Sequence, residues 1–256
     1  AELVAAHCGE GVTRIEPRVA DILKRLQAVG EVMALTRNES AVHEKIGVYE
    51  KVIAGDHTAL VLGTQIDLRI FPRTWAHGFA VEKRDGDAVR RSLQFFDASG
   101  EAVHKVHLRE GSHLPAYEAL VASLTSGDQG RTLEARALEP AEPVDAHGET
   151  GPDVAALRDR WSRMTDVHQF FGMLKELKLS RRSAVRLVGD DRAWRLDGQA
   201  VSAMMHHVAE QAIPVMCFVG NRGCIQIHTG PIASVNAMGP WINVMDETFH
   251  LHLRMD

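Results

Sequence analysis

VMALTRNESAVHEK (residues 32–45) and VMCFVGNRGCIQIHTG (residues 215–230) are two copies of one pattern. Met33 and Met216, Asn38 and Asn221, and Gly47 and Gly230 are each 183 residues apart. In both copies a β-like run ends at an asparagine and a second run follows, as in a hairpin with a polar turn. The repeat extends outward. The helical spacing of Val19, Ile22, Leu23 and Leu26 returns as Val201, Met204, Met205 and Val208 at an offset of 182, and Arg14-Ile15 returns as Arg195-Leu196 at 181. Ile66-Asp67-Leu68-Arg69 aligns with Leu251-His252-Leu253-Arg254 at 185. A nearly constant offset across helix and strands alike means one α+β unit used twice. The expected fold is therefore α+β with an internal duplication: two antiparallel β-sheet units, each with packed helices.

The first repeat, residues 1–124, reads as a short strand at Val12–Ile15, a helix opening at Pro17, and strands from Glu31 to Phe71 broken at Asn38, Gly47, Gly55-Asp56 and Gly63. Asp85-Gly86 joins two further strands in a hairpin, Asp97 to Gly100 turns the chain into Val103–Leu108, and Pro115 starts an amphipathic helix through Leu120 and Leu124. Residues 125–152, rich in Gly, Pro and Glu, read as a linker with a helical turn around Leu133 to Leu138. The second repeat, residues 153–256, opens with helices that have no counterpart in the first. Residues 71–124 conversely have no counterpart after Asp256, so the second repeat is expected to be incomplete at its C-terminal end. The strand Phe249–Arg254 would then be a bare sheet edge, which soluble proteins normally cover. Further residues or a second copy of the chain, as in a homodimer, are expected to pair with it.

In that helical region Val154, Leu157, Trp161, Met164, Phe171 and Leu174 recur at steps of three or four, the spacing of one buried stripe. His168 falls on the stripe. An imidazole there is either a core histidine or a ligand aimed into an apolar pocket. Ser180 is placed to cap a following helix, which puts Arg181 in its first turn, where a cation gains nothing from the helix dipole.

Composition bounds the function. With 45% hydrophobic residues in 256, the chain can build one large or two modest cores. A net charge of −5 and the lack of any dense Lys/Arg run argue against a general nucleic-acid or membrane-surface binder. Three cysteines, Cys8, Cys217 and Cys224, form no CxxC pattern and suit a reducing compartment, so the cytoplasm is expected. No apolar run approaches the roughly 20 residues a membrane helix needs. His250 and His252 share one strand face and His228 belongs to a neighbouring strand, which would allow a zinc or copper site. No HExxH, finger spacing or carboxylate triad accompanies them, and they read more simply as polar strand positions. The glycines of 219–223 precede a strand and are no phosphate loop.

TDVHQFF (165–171), LSRR (179–182), VGNRGCIQIHTGP (219–231) and MGPWINV (238–244), together with VMALTRNESAVHEK, IDLRIF (66–71) and SLQFFD (92–97), resemble the hemin-degrading or cytoplasmic heme-trafficking factors of the HemS/ChuS/PhuS type. The resemblance implies heme as cofactor, held between sheet and helices of the second half, with His168 as the proximal iron ligand. Arg181 would lie on the distal side, where it would also serve any catalysis. Arg69 and Phe71 would contact or gate the pocket from the first half, with Phe171 as the gate's other side and Arg69 as a donor to the propionates. Partners implied are a heme-uptake transporter and a downstream heme oxygenase. Three functions follow as expectations: a heme carrier, an enzyme opening the porphyrin with oxygen and a reductant, and a structural or interaction domain without heme.

Overall fold

The hairpin pattern at residue 32 and its repeat at residue 215 both fold as expected in the computed structural model, which describes residues 1–137, 153–166 and 169–255. The first half runs α1 (Glu2–Ala5), β1 (Val12–Ile15), α2 (Val19–Val29), β2 (Val32–Arg37), β3 (Ala41–Gly47), β4 (Val52–Ile53), β5 (Ala59–Leu62), β6 (Asp67–Ile70), β7 (His77–Asp85), β8 (Ala88–Phe96), β9 (Ala102–Leu108) and α3 (Leu114–Leu124). The second runs α4 (Val154–Arg163), α5 (Gln169–Leu177), α6 (Arg181–Leu187), α7 (Ala200–Glu210), β10 (Val215–Gly220), β11 (Cys224–Gly230), β12 (Val235–Met238), β13 (Trp241–Met245) and β14 (Phe249–Arg254). Local chemistry sets these boundaries. The stripe Val19, Ile22, Leu23, Leu26 and Val29 is buried along α2, and Gly30, at φ +78°, ends that helix in a conformation that side chains resist. The turn between β7 and β8 carries Gly86 at φ +59°. In the described part of the linker, residues 125–137, no helical turn forms. Its backbone is instead tied to the first half, Gly130 and Thr132 carbonyls accepting from the Arg14 guanidinium and the Arg136 amide donating to Ala98.

Among the described residues every pair of strands is antiparallel, in two sheets. One has nine strands in the order β1-β7-β8-β9-β2-β3-β14-β13-β12, the other five in the order β10-β11-β6-β5-β4. The α+β duplication is thus present, but the repeats exchange strands. The first half's β2–β3 hairpin continues into the second half's β14-β13-β12, and the second half's β10–β11 hairpin into the first half's β6-β5-β4. The two junctions are equivalent: Ala41 pairs with Leu253 and Cys224 with Ile70, and the corresponding positions, Ala41 with Cys224 and Ile70 with Leu253, are again 183 residues apart. This register corrects the offset of 185 read for the last strand. Leu68 corresponds to Leu251, Asp67 to His250 and Arg69 to His252. A slip of two residues keeps every side chain on its face, which is why alternation alone did not expose it.

The same junction corrects the expected bare edge. β14 lies between β13 and β3, its ladder to β3 running from Phe249–Lys45 to Leu253–Ala41. The strand is covered within the chain, by neither additional residues nor a second copy.

The compact units are drawn differently from the repeats in sequence. One comprises Ala1–Leu138 with Val201–Asp256, the other Glu139–Ala200. In the larger unit α2 and α3 cover a core of Ile22, Leu23, Leu26, Leu68, Ile70, Leu93 and Phe95 that also takes in Cys224 from the second repeat. Where β2 packs on β10 and β11, the two asparagines of the opening motif form a reciprocal latch. Asn38 Oδ1 accepts from the amides of Ser40 and Ala41, and Asn221 Oδ1 from those of Gly223 and Cys224. Each Nδ2 then reaches the carbonyl just before the other asparagine, Asn38 to Gly220 at 2.9 Å and Asn221 to Arg37 at 2.9 Å.

Candidate functional site

The smaller unit is built on α4, α5 and α6. Asp153 caps α4 by accepting from the Ala156 amide, and Ser180 caps α6 by accepting from that of Ser183, so Arg181 stands in the first turn as the sequence indicated. The core of this unit is Leu157, Met173, Leu174, Leu179, Ala184 and Val188, with Trp161, Met164 and Phe170 against it. Phe171 does not belong to the stripe: it is 66% exposed, while Phe170 meets Trp161 edge-on at 5.3 Å. The phase of α4 does not carry into α5, because the helix stops at Arg163 and a new one starts at Gln169. Within α5, packing selects Phe170, Met173 and Leu174, and the neighbouring Phe171, about 100° round the helix, turns outward. His168 lies outside the described residues.

Arg181 is exposed and lines a cavity of about 870 Å3 between α6 and the segment after it, together with Arg182, Arg186, Val185, Trp194 and Arg195. Elsewhere in this unit the guanidiniums are paired. Arg158 grips Asp191 with two bonds of 2.8 and 2.9 Å, and that hydrogen bonding holds the Asp191 carboxyl down at about 2. Arg160 pairs with Glu176, Arg163 with Asp159, and Arg192 with Asp191.

In the larger unit Arg69 projects from β6 on the sheet face that also carries its cross-strand partners Ile225 and Leu60. By the same alternation Met216 and Phe218 of β10 belong to this face, and they are 58% and 57% exposed. The Arg69 guanidinium donates to Asp67 and to the Leu68 carbonyl, so part of its fork is already engaged. Phe71, half-buried, follows β6; its amide donates to the Gly223 carbonyl and its carbonyl accepts from Thr74.

The histidines considered for a metal are otherwise employed. His250 faces Glu44 at 3.1 Å, His252 faces Asn243 at 2.6 Å, and His228 stacks on Phe249 at 3.9 Å while accepting from Lys45. No group of three metal-ligating side chains occurs among the described residues. The buried imidazoles belong to the core. His104 sits between Tyr49 and Thr36, and burial, with His107 nearby, lowers its pKa to about 3. His43 is lowered to about 3 as well, by burial first and then by His228 and Lys45. No helix is long and apolar enough to cross a membrane among the described residues.

Residues 1–124 and 178–256 match the haemin-degrading HemS/ChuX domain. The chain belongs to the HemS family. It is 40% identical over 254 residues to the hemin transport protein HmuS of Yersinia pestis, covering 99% of this chain and 72% of that one. Among solved structures it is similar to holo-PhuS, a heme-binding protein from Pseudomonas aeruginosa (TM-score 0.92, 40% identity, 99% of this chain and 73% of that one). It is also similar to ChuS, an Escherichia coli heme oxygenase (TM-score 0.86, 34% identity, 100% and 75%). Arg69, Phe71 and Arg181 fall within the residues matched to the HemS domain, whereas His168 and Phe171 fall between its two stretches.

Two features of these surfaces escaped the reading of the sequence. The Arg182, Arg186, Trp194 and Arg195 cluster was signalled only by the Arg pair at 181–182 with Arg186 one turn on. The exposed Met216 and Phe218 were signalled by the run VMCFV, which puts bulky apolar side chains on both faces of a strand where one face would ordinarily be polar.

Proposed function

We propose that this chain is a cytoplasmic heme-binding protein that accepts heme from an uptake transporter and delivers it to a downstream oxygenase. The observation that carries this reading is the likeness, over 99% of the chain, to a protein described as heme-binding in its holo form. In this reading His168 would ligate the iron through one imidazole nitrogen, and Arg181 would supply hydrogen-bond donors to the pocket on the distal side. Arg69 would turn the free part of its fork toward a propionate. Phe71 and Phe171 would act as the gate. The proposal keeps the division of the chain into repeats at 1–124 and 153–256 joined by 125–152.

The residues present suit the group. Heme is an apolar disc with two carboxylates on one edge, and it supplies an iron open to an axial donor. Soluble proteins seldom leave large apolar side chains together in water without a use for them. Phe218 and Met216 do this beside Arg69 on one unit, and Phe171 does so on the other.

A second reading, that the protein itself opens the porphyrin, is favoured by the 34% identity to a protein described as a heme oxygenase. The residue it would depend on is again Arg181, as a donor to oxygen.

Titration with hemin, followed by absorption, tests the first reading. Binding in about a 1:1 ratio is expected, with His168→Ala shifting the Soret band and weakening binding. An unchanged spectrum would return His168 to the core, and failure of the wild type to bind would leave a structural or interaction domain. Carrier and enzyme are separated by adding reductant, an oxygenase and catalase. Transfer should outpace breakdown, and tetrapyrrole product formed over many turnovers in a manner dependent on Arg181 would replace the carrier with the enzyme.

A further inference from the structure

Within the larger unit a second cavity, of about 480 Å3, lies between α3 and the strands β1, β7 and β8. Its wall holds a buried hydroxyl that the fold leaves unused. Tyr117 is 6% exposed and its ring belongs to the main core, yet its hydroxyl makes no hydrogen bond among the described residues. The chain's other tyrosine, Tyr49, bonds His104 at 2.6 Å. Buried polar groups ordinarily have a partner, and one that lacks it beside a cavity points to what enters the cavity. Three charged groups act on the Tyr117 hydroxyl, those of Arg91, Glu82 and Glu118, and these are the three charged residues that line the cavity. The hydroxyl therefore faces the same space. Burial pushes it up to about 12, so it stays protonated and able to donate.

The cavity presents both signs of charge. Arg91 meets Glu82 through Nε at 3.0 Å, and its terminal nitrogens donate no hydrogen bond among the described residues. That leaves part of a planar fork, beside the phenol, for a carboxylate. Glu82 is shared between Arg91 and Arg84, whereas Glu118 makes no ion pair among the described residues. A lone anion entering here would meet the Glu118 carboxylate, and a lone cation the Arg91 guanidinium. A molecule carrying both charges meets a partner for each. The remaining wall is aliphatic, with Val12 and Ala80 on the sheet and Val121 one turn beyond Tyr117 on α3. A cavity of this size suits a small organic molecule.

We infer that this cavity binds a small zwitterion of the aliphatic amino-acid class, its carboxylate on Arg91 and the Tyr117 hydroxyl, its ammonium on Glu118 and its side chain against Val12 and Val121. The site lies outside the residues assigned to heme and does not depend on that reading.

The test is calorimetric titration of the full chain with L-leucine, 4-methylpentanoate and 3-methylbutylamine, which share one aliphatic chain and carry both charges, the negative one or the positive one. L-Leucine should bind saturably, and each singly charged analogue at least ~10-fold more weakly, because each leaves one wall charge without its partner. Tyr117→Phe should weaken L-leucine at least ~5-fold while the urea midpoint stays in place, since the hydroxyl has no bond within the protein to lose. Glu118→Gln, an exposed change that keeps the shape, should weaken L-leucine and the amine but leave 4-methylpentanoate within about twofold. Hemin titration of Tyr117→Phe should match wild type. Absence of saturable L-leucine binding by wild type overturns the proposal, as does an analogue that binds as tightly as L-leucine or an unchanged L-leucine affinity in Tyr117→Phe. A loss of hemin affinity in Tyr117→Phe as large as the loss for L-leucine would assign the hydroxyl to the heme pocket and overturn it too.

Discussion

Asn38 and Asn221 occupy the same place in the two repeats, yet their replacement by alanine should have different costs. Asn221 makes two short bonds through Nδ2, to the carbonyls of Val103 at 2.8 Å and Arg37 at 2.9 Å, with a longer one to Ala102 at 3.5 Å, and two through Oδ1, from the amides of Gly223 and Cys224 at 2.9 and 3.0 Å. Gly223 and Cys224 are buried, so water replaces these partners poorly. At about 1 kcal/mol net for each bond that water cannot restore, and with three of the four short bonds partly buried, Asn221→Ala should cost about 3 kcal/mol. Asn38 is exposed and lacks the bond to a third strand, its partners being Gly220, Ser40 and Ala41. Water can reach most of these groups, and Asn38→Ala should cost about 1 kcal/mol, the ordinary value for a solvated turn. In urea, at a slope of about 2–3 kcal/mol/M, the Asn221 variant should unfold about 1 M earlier and the Asn38 variant a few tenths earlier. Equal losses, or a larger one at Asn38, would refute the argument that the link to Val103 and the buried amides make the latch unequal.

Acid should destabilise the protein through its buried imidazoles. His43 and His104 have folded pKa values of about 3, against the ordinary histidine value of 6.5 that the unfolded chain restores. Between those values the unfolded chain binds protons that the folded one refuses, so their contribution is fully present above about pH 6.5 and is lost as pH falls toward about 3. Each should add a slope of about 1.4 kcal/mol per pH unit below the upper value. His43→Gln, which installs the residue that the second repeat carries as Gln226, should flatten the dependence between about pH 6 and 5 by about one proton. Urea midpoints across that range measure it, and an unchanged slope would mean His43 is not held neutral. Phe218→Ser should leave the urea midpoint nearly unmoved, within about 0.5 kcal/mol, because the ring is already 57% exposed. The same change should weaken hemin binding severalfold if this sheet face meets the ligand, and an unaltered titration would remove Phe218 from that surface.

Much of the fold was legible because its signals are local. Asn38 and Asn221 mark turns through their own side chains, Gly30 and Gly86 mark the positive φ that ends a helix or closes a hairpin, and α2 declares itself by the spacing of its apolar residues. The site was legible unevenly. Ser180 placed Arg181 in the first turn of a helix, which holds. Phe171 was placed on a stripe that runs through a helix break, and period alone cannot say that the phase is reset there. The arginine cavity needs Trp194 and Arg195 to fold back on α6, a long-range fact with no local signature.

The sequence by itself determined that one α+β unit occurs twice, where its turns and helices lie, and to which family it belongs. Tertiary structure decided which sheet each strand joins. β14 could extend its own repeat's hairpin or the other's, and both choices present the same alternation, the same buried face and an edge of identical backbone groups. Because the repeats match at 183 residues, exchange leaves every local preference satisfied. Only the packing of the whole chain, with β3 beside β14 and β11 beside β6, selects between them.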